Sequence, residues 1–196
     1  MTTTIVNIGY RSTNYWVISA GRSRLLVDLG WPQTMGLMRA SLRRMDVPLA
    51  EVRYAFATHY HIDHAGLAEE FKQAGVPLLV AETQLDGIRG LNQWACARPK
   101  EEFIAITQHG NVVVGIAESR GVLAGIGIAG ELLSTPGHSP DSVSLLLDDG
   151  CAFTGDLGPP LSDDPADLTL HSWRLLQERG MTRVHPGHGP VRKWGA

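Results

Sequence analysis

Four side chains of metal-binding type fall within six positions in the segment Thr58-His59-Tyr60-His61-Ile62-Asp63-His64. Alternate side chains of an extended segment share a side, so His59 and His61 can grip one ion, while Asp63 and His64, at the entry to a following helix, can hold another. Without a metal, a buried cluster of three histidines and a carboxylate would be a costly place for polar groups, so ligation is the reading these residue types favour. Three more ligand candidates follow, each in a glycine-marked turn at the end of an expected strand: His138 in STPGHSPDS, Asp156 in FTGDLG and His188 in HPGHGP. Each alone is ordinary loop chemistry. Taken in order they form one donor set, which uses five of the chain's eight histidines. Imidazoles and carboxylates without a thiolate suit borderline ions, zinc first, with iron or manganese as alternatives.

These side chains need strand ends and turns to hold them. Segments 3–8, 14–18 and 24–29 are short, rich in Ile and Val and broken by Gly or Ser, which predicts three antiparallel strands in a meander. Pro32 precedes an amphipathic helix over 34–45, with Met35, Leu37, Met38, Leu42 and Met45 on its apolar face; the methionines read as core filling. Strand 53–57, helix 65–73 ended by Gly75, and strand 76–80 make a crossover unit. The stretch 82–120 has a weak helical piece over 84–94 and no other strong period, and reads as a covering segment or lid. Strands return at 122–126, 131–134, 143–147 and 151–153, the last two joined by an Asp149-Gly150 hairpin turn. A helix over 164–178, with Leu168, His171, Leu175 and Leu176 as inward candidates, precedes a last strand at 182–185. Two similar halves favour an α/β fold of two sheets packed face to face under outer helices, in one domain spanning 1–196.

The chain has 196 residues, is 43% hydrophobic and carries a formal charge of −3. A chain of this size removes roughly 70% of its unfolded surface from water, which excludes a fibrous or disordered protein. A sequence pI near 6.2 supplies no broad basic face, so no nucleic-acid partner is expected. Cys96 and Cys151 are too far apart for a metal knuckle and read as buried small hydrophobes in a reducing compartment. The N-terminal segment MTTTIVNIGYRSTNYW has no signal-peptide pattern, and no apolar run is long enough for a membrane span. The expectation is a cytoplasmic protein with no membrane partner.

The ordered set HxHxDH, His, Asp, His resembles that of the metallo-β-lactamase-fold superfamily, and the likeness covers nearly the whole chain. It implies a four-layered αββα sandwich, which agrees with the element order above. Carried over by position, His59, His61 and His138 would bind one ion, Asp63, His64 and His188 a second, and Asp156 would bridge them. Asp28, in LLVDLG, matches an acidic residue that supports the metal loop from behind. The implied cofactor is a pair of zinc ions, and Asp63 is a ligand that also steers the attacking water. Oxygen-reducing di-iron relatives usually carry glutamate where this chain has His61, so hydrolysis is the default.

The resemblance is nearest to the glyoxalase II and lactonase branches, without the extra C-terminal helical region. It implies a dinuclear hydrolase in which water held between two cations loses a proton and attacks an ester, thioester or lactone carbonyl. A phosphodiesterase or nuclease of the same fold is the alternative, and β-lactamase activity, main or promiscuous, is another. A non-enzymatic binding protein is disfavoured by the complete donor set. The partner is a small-molecule substrate, and a homodimer is left open. Among the remaining candidates, Tyr60 points into the core, His109 is a loop histidine, and His185 faces the sheet or packs beneath His188. His171 on the last helix either lies near the metal face or simply packs, and Trp31 and Trp94 are candidates for a hydrophobic pocket wall, with core packing the favoured reading.

Overall fold

Several strands of this chain read as unbroken apolar runs because both of their faces are covered. In the computed structural model, which describes residues 3–160 and 162–194, successive side chains of one strand enter different cores. Strand β2 (Trp16–Ala20) sends Val17 to one side and Trp16 and Ile18 to the other. Strands β3 (Ser23–Val27), β4 (Val52–Phe56) and β5 (Leu78–Ala81) divide in the same way: Leu26, Ala55 and Leu78 face outer helices, while Leu25, Phe56 and Leu79 face the second sheet.

With β1 (Thr3–Asn7) and β6 (Asn111–Val114), these strands form a six-stranded sheet in the order β1-β2-β3-β4-β5-β6. The first three are antiparallel and the rest parallel, with Leu26 opposite Ala55 and Val27 opposite Phe56. The second sheet has the order β11-β10-β9-β8-β7, built from β7 (Gly130–Ser134), β8 (Val143–Leu147), β9 (Cys151–Gly155), β10 (Arg183–Pro186) and β11 (Arg192–Lys193). Trp16, Leu25, Phe56 and Leu79 pack against Leu132, Leu145 and Phe153 between the sheets.

Outside the first sheet lie α1 (Met35–Arg44), α3 (Ala68–Gln73) and α4 (Leu85–Cys96), which contribute Met38, Leu42, Phe71, Ile88 and Leu91. Outside the second lies α6 (Leu168–Glu178), anchored by Trp173 and Leu176. The layers are therefore αββα, as the pattern and the resemblance both imply.

Several local expectations change. Residues 122–126 are not a strand: α5 (Ser119–Gly125) is helical, with Val122, Leu123 and Ile126 packed at the edge of the inter-sheet core. Their spacing of one and three residues suits a helix as well as a strand. The stretch 82–120 contains α4 and strand β6 rather than an irregular cover. Leu37, Met45 and Leu168 are exposed, as is His171, whose ring meets the Pro165 carbonyl. Cys96 is exposed and Cys151 buried. Among the described residues no helix is long and apolar enough to cross a membrane.

Candidate metal centre

Strand β4 ends at Phe56, and the chain bends at Thr58 and His59 before the short helix α2 (Ile62–Ala65) begins behind His61. This exit is held from three sides. Asp28 accepts hydrogen bonds on Oδ1 from the Thr58 amide and hydroxyl, at 2.8 and 2.9 Å. Gln84 donates to the carbonyls of Ala57 and Thr58, and the Val143 amide donates to the Thr58 carbonyl. Asp28 itself sits at a φ of 64°, a left-handed backbone that Asp tolerates better than bulky residues.

His138 leaves the β7–β8 loop, Asp156 follows β9 and His188 follows β10, so all the candidate ligands gather at one edge of the sandwich. Three groups have ligand atoms within 4.8 Å of one another: His59, His61 and His138; Asp63, His64 and His188; and His59, His64 and Asp156. All seven side chains singled out in the sequence are thus brought together. His59 and His64 form the buried floor, while His61, His138 and His188 are exposed at the rim.

The spacing is informative. Asp63 Oδ2 and Asp156 Oδ1 each lie 3.3 Å from His64 Nε2, and stand 3.3 and 3.4 Å from His188 Nε2. Direct hydrogen bonds would be nearer 2.9 Å. Donors placed about 2.0–2.2 Å from one tetrahedral ion stand about 3.3–3.6 Å apart, so these four atoms have the spacing of a coordination shell. The other oxygen of Asp156 faces His138 Nε2 at 3.7 Å, and His138 Nε2 lies 3.0 Å from His61 Nδ1. His59 Nε2, His64 Nε2 and Asp156 Oδ1 are buried without a hydrogen bond. Unpaired polar atoms of this kind are expensive unless something else satisfies them, and a cation fits this donor set.

The ring orientations are set from behind. His64 Nδ1 and Asp28 Oδ2 share a 2.9 Å hydrogen bond, and His188 Nδ1 lies 2.7 Å from the Ser12 carbonyl, an acceptor that fixes the proton on Nδ1. Both rings then turn Nε2 toward the centre. Thr13 donates its hydroxyl to Asp63 Oδ2 at 3.0 Å. Burial opposes charge on His64, but Asp28, Asp156 and Asp63 around it outweigh burial and hold its pKa well above the ordinary imidazole range. Burial, followed by His64 and its neighbouring histidines, pushes His59 well below that range. Burial also opposes ionisation of Asp63 and Asp156, yet contacts with His64 hold both carboxyl groups below their usual values.

Gly187 has a structural reason to lack a side chain, because a Cβ there would strike Asp156 Oδ1 and the His64 ring. The remaining candidates sort as follows. Tyr60 is buried in the outer core and its amide donates to Asp141 Oδ2 at 2.8 Å. His185 is buried between Phe153, stacked at 4.7 Å, and the edge of Trp16. His109 is exposed and contributes its carbonyl to Lys72. Trp31 lies under Arg11. Trp94 is not core filling: it is 38% exposed and walls a cavity of about 450 Å³ that opens onto His61 and Asp63. Ser12, Thr13 and Asp141 were not singled out by the sequence reading. Ser, Thr and Asp in turns carry no pattern that separates a ligand's anchor from an ordinary turn residue.

The metallo-beta-lactamase superfamily model matches residues 8–191. Beta-lactamase-like protein 2 homolog of Caenorhabditis elegans is 27% identical over 92% of this chain and 57% of its own length. The atrochrysone carboxyl ACP thioesterase of Aspergillus terreus is 27% identical over 92% of this chain and 50% of its own. The chain thus spans little more than half the length of these curated relatives. The solved structure of TTHA1623 in a di-iron-bound form is 25% identical with a TM-score of 0.69, covering 98% of this chain and 95% of that one. With a family match across nearly all of its length and the αββα layers to go with it, this chain belongs to the metallo-beta-lactamase superfamily, a metal-dependent family.

Proposed function

We propose that the chain is a dinuclear metal-dependent hydrolase of carboxylic esters, thioesters or lactones. His59, His61 and His138 would hold one ion and Asp63, His64 and His188 the other, with Asp156 placed to serve both, its Oδ1 near His64 and His188 and its Oδ2 near His138. The observation that carries this reading is the separation of 3.3–3.4 Å between the Asp63 and Asp156 oxygens and the His64 and His188 Nε2 atoms, together with the unpaired buried atoms among them. Donor chemistry favours zinc, with iron or manganese able to occupy the same nitrogens and oxygens. When bound, two such cations supply the Lewis acidity that makes water nucleophilic near neutral pH and polarises a carbonyl.

The chain's own residues do the rest. Asp28 and the Ser12 carbonyl fix which nitrogens of His64 and His188 face inward. Thr13 holds Asp63 Oδ2 in place, and Asp63 is the group positioned to orient the attacking water. His61, His138 and His188 are exposed, and His61 with Asp63 lines the cavity that Trp94 walls, which leaves the centre open to a substrate there. The thioesterase among the relatives supports carbonyl chemistry, and the di-iron form of TTHA1623 supports a paired site.

A panel of p-nitrophenyl esters, acyl thioesters, homoserine lactones, nitrocefin and bis-p-nitrophenyl phosphate, assayed with and without a chelator, tests the reading. Chelator-sensitive turnover of the carbonyl substrates is expected. Turnover of the phosphodiester alone would overturn the carbonyl assignment.

A further inference from the structure

The cavity beside the metal centre has a composition that selects substrates. Its lining joins His61 and Asp63 of the candidate centre to the apolar side chains of Ile62, Leu91, Trp94 and Pro140, with Gly90 among them. At about 450 Å³ it lies in the lower part of the ~300–1,000 Å³ range of small-molecule sites. No Lys or Arg lines it among the described residues, and its two carboxylates are already engaged, Asp63 with Thr13 and Asp141 with the Tyr60 amide. Arg98, one helical turn beyond Trp94, stacks 4.4 Å from its ring centroid and donates to the Trp94 carbonyl. A separate cleft lined by His138, Asp156 and His188 of the same cluster does include a cation, Arg192.

Helix α4 makes the apolar side possible. Gly87, Gly90, Leu91 and Trp94 recur at three- and four-residue steps and share one face. Gly87 lets the helix approach Asp141, where a Cβ would strike the carboxylate, whereas a Cβ at Gly90 would have no neighbour within 4 Å. Gly90 is exposed where it lines the cavity, so a larger side chain there has open space over the mouth, and losing a helix-interior glycine favours folding.

We infer that this cavity binds an uncharged apolar acyl chain, with Trp94 as its wall and Gly90 leaving its mouth open, so that the substrate is a medium-chain acyl ester or thioester rather than one with a charged acyl group. The inference rests on the hydrolase reading above, because the acyl chain enters the cavity when the carbonyl is at His61 and Asp63. Water adds to that carbonyl, the acyl–sulfur or acyl–oxygen bond breaks, and the acid and the protonated thiol or alcohol leave.

The test uses the metal-loaded chain and N-acetylcysteamine thioesters of acetate, butyrate, octanoate and succinate, whose common leaving group is polar and neutral. The value of kcat/KM is expected to rise about threefold per added methylene, near a hundredfold from butyryl to octanoyl, with succinyl below butyryl. Gly90→Leu should narrow the octanoyl-to-acetyl ratio at least tenfold, while Gly36→Leu, at an open glycine on α1, leaves that ratio unchanged. Calorimetric binding of 1-octanol, expected in the wild type and weakened tenfold in Gly90→Leu, separates the two readings. Octanol binding of that kind with every thioester inert would sink the hydrolase assignment and retain the apolar site. Thioester hydrolysis with no chain-length preference, or a succinyl preference abolished by Arg98→Gln, would overturn the inference and keep the hydrolase. Absence of both octanol binding and chain-length preference also overturns it.

Discussion

Thr13 gives the second metal position its most direct test at the scale of one residue. Its hydroxyl meets the same Asp63 oxygen that stands 3.3 Å from His64 and His188, yet it is fifty positions away in the chain. Thr13→Val keeps the shape and removes the donor. It is expected to weaken binding of the second ion about 10- to 100-fold, with Thr13→Ser restoring it, as read by competition titration against a chelating dye. His59, His61, Asp63 and His64 stood out in the sequence by their spacing, whereas His138, Asp156 and His188 are ordinary turn residues one by one and became candidates only in order with that cluster. Their anchors were not legible, since Thr13, Ser12 and Asp141 look like any turn residues until the fold brings them near. His185 makes a different prediction. Burial first, then Arg183, pushes its pKa down to about 4 from imidazole's ordinary 6.5, and both ring nitrogens are buried without a partner. The unfolded chain therefore takes up a proton that the folded chain refuses, so stability falls as pH drops from about 6.5 toward 4. His185→Phe, stacked on Phe153, should remove on the order of 2 kcal/mol of the stability loss between pH 7 and pH 5, measured by urea unfolding at both.

Helix α4 and strand β6 show what the element scale adds. The helical pattern over 84–94 is weak because two of its positions are glycines, and those glycines face the site. Low helix propensity here accompanies the close approach to Asp141 that the metal loop requires, so the feature that obscured the helix in the sequence is part of its role. Gly87→Ala should destabilise the protein by about 1–3 kcal/mol, through the clash with Asp141, whereas Gly90→Ala should stabilise it by about 0.5–1 kcal/mol. Denaturant midpoints of the two variants check both signs. In β6, the run Asn111–Val114 pairs parallel with β5 at the end of the sheet, a register fixed by a partner over thirty residues away and invisible to local pattern. At α5 the reverse occurred: Val122 and Ile126 have strand-forming side chains, but both pack toward the core of Leu132 and its neighbours, Val122 within the helix and Ile126 at its C-cap.

At the scale of the whole molecule, the two sheets share one core of large side chains and bring four separate loops to one edge, where His59 and His64 are almost fully shielded from water. Element order and layer arrangement were readable because apolar runs, glycine turns and the hairpin at Asp149-Gly150 each marked a boundary. The convergence of the loops depends on pairings between distant strands, such as β10 with β9, which no local window contains. A donor set buried in this way should depend on its ions for stability, so chelation is expected to lower the melting temperature of the wild type and to do so less in Asp156→Ala. Elemental analysis of the purified chain goes to the centre of the account. It should find two transition-metal ions per chain, falling to one or fewer in Asp156→Ala as hydrolysis is lost. Wild-type protein without stoichiometric metal, or an Asp156→Ala variant with unchanged metal content and rate, would contradict the paired centre.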